Sequence, residues 1–301
     1  MIDRSCISLS SKCQLSCTYC HFDTRIDKNC VEQISDKDAL KVIYNFHQYA
    51  SANQTGIKIG LVGSGEPLLR LDLIKEIVYT AERIDPDGRL NFYTISNGMF
   101  FTEDTCKFFF EHRERIKLCF SLDGPQKIHD LCRRTANGKG SYSTVVKSIQ
   151  LYRETFGEAP SINATVHRET LRNAESVLNF FEDNFKEVTF SKLVDVESPH
   201  LRIGKEDFQN FMELARTRNL ALRQFNSRKY DCTMYGRLCG VGRTNIYFDN
   251  GKVYPCGRFV GNRKYELGTV CDSIDVIEKN MVECITPCTD GQCYYDTLNL
   301  Q

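Results

Sequence analysis

The sequence predicts an α/β fold, namely a partial (β/α)6 TIM-like barrel followed by a small C-terminal cysteine-rich domain. Over the first two thirds of the chain, short β-like runs alternate with longer helical segments, the pattern of βα units around a parallel sheet. Polar motifs directly follow the predicted strands, where such barrels carry their chemistry. Helical periodicity ends near residue 228, and seven of the fifteen cysteines lie between 232 and 293. We therefore assign 1–200 to the barrel, 201–229 to a linker helix and 230–301 to the cysteine-rich domain.

Individual elements follow from local patterns. Six strands are predicted, at 6–10, 57–63, 90–96, 117–124, 161–167 and 187–193. Between them, apolar residues recur at three- and four-residue spacing, which predicts helices on the outside of the sheet. A further helix is predicted around 205–223. In the cysteine-rich domain, Asn250-Gly251 lies between two short apolar runs and predicts a β-hairpin.

Composition limits the classes of partner. Lys plus Arg and Asp plus Glu both number 39, so no overall charge attracts nucleic acid or an anionic membrane. No apolar run approaches the ~18 residues that span a bilayer, and the first residues lack the apolar core of a signal peptide. We therefore expect a cytoplasmic protein that binds neither nucleic acid nor membrane.

The cysteines require a chemical explanation. Disulfides are typical of small exported domains, whereas this chain is long and lacks an export signal, so the clustered thiols are interpreted as metal ligands. Five cysteines lie singly and are interpreted as structural, because free cysteine is often a small buried apolar residue: Cys6, Cys30, Cys106, Cys119 and Cys132.

The first cluster is Cys13-x3-Cys17-x2-Cys20. It presents three thiolates from one loop, whereas a cubic iron–sulfur cluster has four irons to ligate. One iron would remain open, and an open coordination position distinguishes a reactive metal site from a closed structural one. A zinc site is the alternative, since CxxC pairs also bind zinc.

With Tyr19 before its third cysteine, this loop resembles the signature of the radical S-adenosylmethionine (SAM) superfamily. The resemblance implies that SAM binds the open iron of a [4Fe-4S] cluster and is cleaved to a 5′-deoxyadenosyl radical. It places Tyr19 among the cofactor-binding residues. GSGEP at 63–67 resembles the family's GGEP motif, with a serine in place of the first glycine. The implied contacts to the methionyl amino group come from Ser64, Gly65 and Glu66.

Two further segments match the same family. ISNG at 95–98 resembles its TNG strand end, where Asn97 either shapes the turn or contacts ligand. SLDGPQKIHDLCR at 121–133 resembles a stretch of the peptide- and protein-modifying members. It implies that Ser121 contacts the ribose hydroxyls and Arg133 the carboxylate of SAM. Asp123 and His129 are expected to brace their turns.

The C-terminal cysteines resemble the SPASM and twitch extensions of that superfamily, which bind auxiliary iron–sulfur clusters. In a small glycine-rich module of this kind, binding of the metal cluster stabilises the fold. The resemblance implies at least one auxiliary cluster. Cys271 is interpreted either as a spectator or as a hydrogen-atom donor. The implied ligands are Cys232, Cys239, Cys256, Cys284, Cys288 and Cys293.

The resemblance implies a maturase that modifies a peptide or protein by oxidation, crosslinking or epimerisation, including ribosomally made peptides. The implied partners are that substrate, a reductant such as flavodoxin or ferredoxin and, because the barrel begins almost at residue 1, a separate recognition protein. The sulfatase-maturing branch is disfavoured, since Gly257 stands where those enzymes place an aspartate. The alternatives are a small-molecule dehydrogenase or epimerase, for instance acting on an aminosugar, and a non-catalytic iron–sulfur or zinc scaffold.

Overall fold

The strands lie close to their predicted positions. The structure, a computed structural model, describes residues 1–20, 33–193, 199–222, 240–285 and 295. The strands in these ranges are β1 (Arg4–Ser8), β2 (Ile57–Val62), β3 (Leu90–Ser96), β4 (Ile116–Ser121), β5 (Ser161–Val166), β6 (Glu187–Lys192), β7 (Ala221–Leu222), β8 (Asn245–Asp249), β9 (Lys252–Tyr254) and β10 (Gly268–Thr269).

The helices of the same ranges fill the predicted positions between the strands. They are α1 (Asp36–Ala52), α2 (Leu71–Ile84), α3 (Glu103–Glu111), α4 (Gln126–Cys132), α5 (Tyr142–Phe156), α6 (Arg168–Arg172), α7 (Ala174–Asn184), α8 (Lys205–Arg216) and α9 (Ile274–Cys284). Short 3-10 helices lie at Pro67–Arg70, Pro199–Leu201, Gly257–Phe259 and Arg263–Tyr265. None of the helices in the described ranges is long and apolar enough to cross a bilayer.

The described strands join one sheet in the order β10-β9-β8-β1-β2-β3-β4-β5-β6-β7. From β1 to β7 each neighbouring pair is parallel. Every crossover among the first six strands carries at least one helix, as parallel pairing requires. The predicted partial (β/α)6 TIM-like barrel is thus confirmed.

The two faces of the sheet differ in character. On one face, buried strand residues such as Ile7 and Phe190 pack with helical residues such as Phe46 in the main hydrophobic core. On the opposite face, which we call the inner face, β5 presents polar, half-buried side chains at alternate positions: Ser161, Asn163 and Thr165. The helices therefore cover an apolar core, whereas the inner face carries polar side chains along β5.

The predicted hairpin is confirmed, since β8 and β9 pair antiparallel across the turn at Asn250 and Gly251. Both turn residues have positive φ, 43° and 76°, as a type I′ turn requires. Sequence reasoning did not anticipate where the hairpin lies: β8 pairs in parallel with β1. Residues from the C-terminal part of the chain therefore reach the same sheet edge as the first cysteine loop.

The helix expected around 205–223 is shorter than predicted. It ends at Arg216, and Ala221 and Leu222 form β7 against β6. The Ala221 backbone N–H donates to the Lys186 carbonyl at 2.8 Å. The edge of β6 offers backbone hydrogen-bond partners to Ala221 and Leu222. Pairing with β6 therefore satisfies backbone N–H and C=O groups that would bond within the helix if α8 continued.

Candidate active site at the carboxyl ends of the strands

The first cysteine loop follows β1 and is fixed to the end of α4. The Ser16 N–H donates to the Arg134 carbonyl at 2.7 Å, and the Thr18 N–H donates to the Cys132 carbonyl at 3.0 Å. Burial raises the pKa of Cys17 to about 12; Arg133 opposes this shift, whereas the nearby Cys20 and Cys13 thiols add to it. The loop thus gathers the three thiols, and a metal centre would stabilise them as thiolates.

The described residues hold no three His, Cys, Asp or Glu side chains that already converge on a single metal ion. A cubic cluster needs no such convergence, because each thiolate ligates a different iron. The three thiols of the loop therefore fit a cluster of that kind, with one iron left for another ligand.

The GSGEP segment after β2 packs directly against the cysteine loop. The Gly65 N–H donates to the Ser10 carbonyl and the Glu66 N–H donates to the Lys12 carbonyl, both at 2.8 Å. A Cβ on Gly65 would lie 2.2 Å from the Lys12 carbonyl oxygen. Glycine is therefore required at this position by close backbone approach.

Gly65→Ala is accordingly expected to destabilise the protein by about 1–3 kcal/mol, because the added methyl must displace the cysteine loop. The control is Gly56→Ala, where a Cβ would meet only an ordinary contact, 3.7 Å from the Arg89 carbonyl. Urea unfolding and bound iron are measured for both variants. Equal stability and iron content in the two variants would contradict the proposed contact.

Glu66 is almost fully buried at 2% exposure, and its carboxylate joins two strand ends. Its Oε1 accepts hydrogen bonds from Ser96 Oγ at 2.8 Å and the Leu68 N–H at 3.0 Å, while Oε2 accepts from the Asn97 N–H at 2.8 Å. Burial raises the pKa of Glu66, and these hydrogen bonds oppose that shift. A carboxylate accepts roughly four hydrogen bonds, so Glu66 has capacity to bind an ammonium group such as that of SAM.

Asn97 makes a hydrogen bond within its own turn, which fits the first of the two roles that the sequence left open. Its Oδ1 accepts from the Met99 N–H at 2.9 Å. Its Nδ2 lies 3.2 Å from Gln14 Oε1 and 3.5 Å from Cys13 Sγ. The end of β3 is therefore connected to the cysteine loop through this one side chain.

Ser64, the departure from the GGEP pattern, connects three strand ends. Its N–H donates to Ser8 Oγ at 3.3 Å, and its Oγ donates to Asp249 Oδ1 at 3.4 Å. Asp249 closes β8, and burial raises its pKa, with hydrogen bonds from Ser8 and Ser64 opposing the shift. Sequence reasoning missed Asp249; its position before the Asn-Gly turn was the available signal.

Asp123 is fully buried and brings together the cysteine loop, α4 and β5. Its Oδ2 accepts from Arg133 Nε at 2.9 Å and from the Tyr19 hydroxyl, and its Oδ1 accepts from the Thr165 N–H at 2.9 Å. Burial alone would raise the pKa of Asp123, but the Arg133 charge and the hydrogen bonds from Arg133 and the Thr165 N–H hold it below its ordinary value. Asp123 is therefore an ionised brace that orients Arg133.

Arg133, expected to bind the SAM carboxylate, lies with its guanidinium 5.5 Å from the Tyr19 ring centre. The Arg133 Nε–H donates to Asp123. The guanidinium has four further N–H donors, which are able to bind a second carboxylate. Ser121, expected to contact ribose, ends β4 with 9% exposure and pairs in register with Asn163. Ser121 is thus two residues before Asp123, whose carboxylate binds both Arg133 and Tyr19.

Two buried histidines belong to this region. His129 Nδ1 accepts from the Asp123 N–H at 3.3 Å, and its Nε2 lies 2.9 Å from Ser141 Oγ. Burial lowers its pKa to about 4, so the ring is neutral. His167, directly after β5, is equally buried, yet neither ring nitrogen has a hydrogen-bond partner among the described residues. Such orphaned polar atoms at a cofactor site fit a missing polar ligand.

The second cysteine cluster is described only in part. Cys256 is half-buried two residues after the end of β9, and Cys284 is exposed at the end of α9. The other four expected ligands lie outside the described residues: Cys232, Cys239, Cys288 and Cys293.

Cys271 does not lie with the inner-face residues. It is exposed, and its loop packs on the helical side, where Asn45 Nδ2 of α1 donates to the Asp272 carbonyl at 3.1 Å. A hydrogen-atom donor must reach the substrate, so this position does not fit that role.

The singly placed cysteines differ among themselves. Cys106, Cys119 and Cys132 are buried, as expected for structural thiols, and Cys30 lies outside the described residues. Cys6 is only half-buried, and its Sγ lies 3.5 Å from the Tyr93 hydroxyl on the inner face.

Comparison with known proteins agrees with this geometry. A family model described as the radical SAM superfamily matches residues 7–181. A cysteine-type anaerobic sulfatase-maturating enzyme of Clostridium novyi is 24% identical over 287 residues, covering 87% of this chain and 74% of the relative. A serine-type anaerobic sulfatase-maturating enzyme of Bacteroides thetaiotaomicron is 23% identical over 311 residues, covering 86% of this chain and 69% of the relative.

Among solved structures, native anSMEcpe with bound AdoMet and the Cp18Cys peptide has the same fold, with a TM-score of 0.75 at 20% identity, covering 94% of this chain and 82% of that chain. The family model spans more than half of the sequence and includes the first cysteine loop and the strand-end motifs. The chain therefore belongs to the radical SAM superfamily, whose cofactors are a [4Fe-4S] cluster and S-adenosylmethionine.

Proposed function

We propose that this radical SAM enzyme is a maturase that abstracts a hydrogen atom from a residue of a peptide or protein. The observation that carries the proposal is the polar inner face, where Cys6, Tyr93, Asn163 and Thr165 are half-buried side chains. A peptide backbone offers a donor and an acceptor at most residues, which such a surface is able to pair. The shared fold with a solved structure that holds a peptide supports the same class of substrate.

Different residues at and near the strand ends would bind different parts of the cofactors. When bound, and with one electron from the external reductant, the cluster and SAM would supply methionine and a 5′-deoxyadenosyl radical able to take a hydrogen atom from an unactivated carbon. Glu66 and the adjacent backbone would bind the methionyl amino group, Arg133 the carboxylate and Ser121 the ribose hydroxyls. Asp123 would keep Arg133 oriented through its hydrogen bond to Nε. The cluster would be held by Cys13, Cys17 and Cys20.

We propose an auxiliary iron–sulfur cluster in a SPASM- or twitch-type C-terminal domain. Support comes from Cys256, which lies two residues after the β8–β9 hairpin, whose first strand pairs with β1. A cluster held there would accept the electron released when a substrate radical is oxidised. The remaining ligands would be Cys232, Cys239, Cys284, Cys288 and Cys293; Cys271 is not included in the reaction.

The substrate class is tested with purified, cluster-loaded enzyme, a reductant such as flavodoxin or ferredoxin, and short peptides encoded beside the enzyme's gene. We expect a peptide product together with 5′-deoxyadenosine. A product lighter by two hydrogen atoms indicates oxidation or a crosslink. An unchanged mass in water, with deuterium gained in heavy water, indicates epimerisation. A separate recognition protein, if one is required, is added as a purified component.

The control reaction omits the peptide and measures uncoupled cleavage of SAM. Turnover of an aminosugar, with none for any neighbouring peptide in the presence of its recognition protein, would overturn the proposal in favour of a small-molecule dehydrogenase or epimerase. Absence of reductive SAM cleavage under all these conditions would instead favour a non-catalytic scaffold.

A further inference from the structure

The inner face is basic at the amino-terminal ends of its first strands. Inner-face positions alternate with core-facing ones, and the first inner-face positions of β1, β2 and β4 are Arg4, Lys58 and Lys117. Lys58 and Lys117 are exposed, and Arg4 is half-buried. We call these three residues the basic row. Strands β1 to β4 contain no Asp or Glu, so they bring no carboxylate of their own to this face.

Pairing between the strands holds these cations near one another. Arg4 and Lys58 are direct partners in the parallel pairing of β1 and β2, and like charges at opposite positions destabilise a sheet. Lys117 pairs with Tyr93 of β3, and Lys58 Nζ lies 5.4 Å from the centre of the Tyr93 ring. Asp3 compensates part of the charge, since its Oδ1 lies 3.8 Å from Arg4 Nε. An anion bound at the basic row would relieve the remaining repulsion.

The basic row lies at the opposite end of the strands from the expected SAM site. Lys58 precedes Val62, the last residue of β2, by four positions, which corresponds to about 13 Å. The GSGEP segment begins at the next residue. Half-buried Cys6 and Tyr93 lie on the inner face between the two ends. A peptide that extends along this face from the basic row would therefore reach the SAM site after about four residues.

We propose that the basic row binds an Asp or Glu side chain of the peptide substrate, roughly three to five residues from the residue that is modified. This inference rests on the proposed peptide-modifying function and narrows its substrate class. Arg and Lys form charge-assisted hydrogen bonds with carboxylates, and a surface of one sign of charge accelerates the association of an oppositely charged partner. A nucleic acid would need a longer basic surface, because its charge repeats at every phosphate.

Binding is tested on cluster-loaded enzyme with a tetraglutamate peptide that carries an uncharged fluorophore. The double variant Lys58→Gln/Lys117→Gln is compared with Lys107→Gln/Lys279→Gln, which removes two exposed lysines from α3 and α9 and changes the net charge equally. We expect the first variant to weaken tetraglutamate binding roughly three- to tenfold and the control to leave it unchanged. Added salt should weaken binding to the wild type, and tetraglutamine should not bind.

The unfolding midpoint and the iron content show whether the variants are folded. Lys58→Gln/Lys117→Gln is expected to keep or raise the midpoint, because it removes repulsion from Arg4. A fall in both quantities would assign the two lysines a structural role and would contradict the proposal.

The substrate arm uses a peptide that the enzyme modifies, with the modified residue located by mass spectrometry. We expect an Asp or Glu roughly three to five residues away. Its replacement by Asn or Gln should raise KM roughly three- to tenfold and leave kcat unchanged, because the contact is made equally before and during the reaction. The same replacement should have little effect in Lys58→Gln/Lys117→Gln, since the partner is already absent.

Four results would overturn the proposal: no binding of tetraglutamate, equal weakening in the two double variants, a modified peptide without an acidic residue at that spacing, or loss of reduction by flavodoxin with peptide binding unchanged. The last result would assign the basic row to the reductant. Tetraglutamate binding that depends on Lys58 and Lys117, in an enzyme that turns over an aminosugar and no peptide, would refute the proposed function while supporting the basic row as a carboxylate site.

Discussion

Cys17→Ala is expected to abolish reductive formation of 5′-deoxyadenosine. Cys17 is the central thiol of the first cysteine loop, and a cluster left with two protein ligands would not be held. Bound iron should fall by about four atoms per chain, the content of one cubic cluster, while iron at an auxiliary cluster remains. Anaerobic reconstitution, iron analysis and product chromatography measure these effects.

The matched control is Cys106→Ala. Cys106 is a buried thiol on α3, and its Sγ lies 3.8 Å from the Leu151 carbonyl in the helical layer. Its replacement should cost some stability and leave iron and product formation intact. If Cys17→Ala retained reductive cleavage, or if both variants lost it equally, the assignment of the first loop to the SAM-cleaving cluster would be wrong.

Asp123→Asn is expected to destabilise the protein by about 3–5 kcal/mol, because it leaves the Arg133 charge buried without its partner. Arg133 is 12% exposed and Asp123 is fully buried, at an Nε–Oδ2 distance of 2.9 Å. Arg133→Met should cost a similar amount, and the double variant should cost less than the sum of the two. Urea unfolding of the three variants gives the coupling free energy.

An exposed ion pair provides the comparison. Arg216 and Glu213 approach within 2.5 Å on α8, but their side chains are 47% and 66% exposed, so Glu213→Gln should change stability by less than about 1 kcal/mol. Strict additivity of Asp123→Asn and Arg133→Met would refute the coupling of the buried pair.

The pH dependence of this pair has a definite sign. Because the pKa of Asp123 is below its ordinary value of 3.8, its contribution is fully present above that value. The contribution is lost as the pH falls through the folded-state pKa. The stability difference between the wild type and Asp123→Asn should therefore shrink on acidification.

Much of the barrel was readable from local patterns. Strands such as β3 and β5 alternate clearly and are bounded by turn residues, and the helices between them show regular apolar spacing. The end of α8 was harder to predict, because β7 exists only through pairing with the edge of β6. An alanine followed by a leucine, as at Ala221 and Leu222, does not by itself specify a strand.

The site residues likewise fall into those that a local motif predicts and those that it does not. The sequence singled out Cys13, Cys17, Cys20, Glu66 and Arg133 as candidate site residues, because each lies in a short motif with a fixed spacing. It grouped Cys6 with the structural thiols, since a single cysteine in a strand carries no sign of which face it occupies. The alternation along β1 and the contact with Tyr93 place it on the inner face.

The sequence by itself determined the order of strands and helices, the polar residues at the strand ends and the loop of three thiols, because these depend on neighbours a few residues apart. Only the tertiary structure decided that β8 lies beside β1, which brings Asp249 to Ser64 across 185 residues. It also decided that Asp123 joins Tyr19, Arg133 and Thr165, and that His167 is left unpaired among the described residues. Such contacts depend on packing and register between distant segments, which no local pattern encodes.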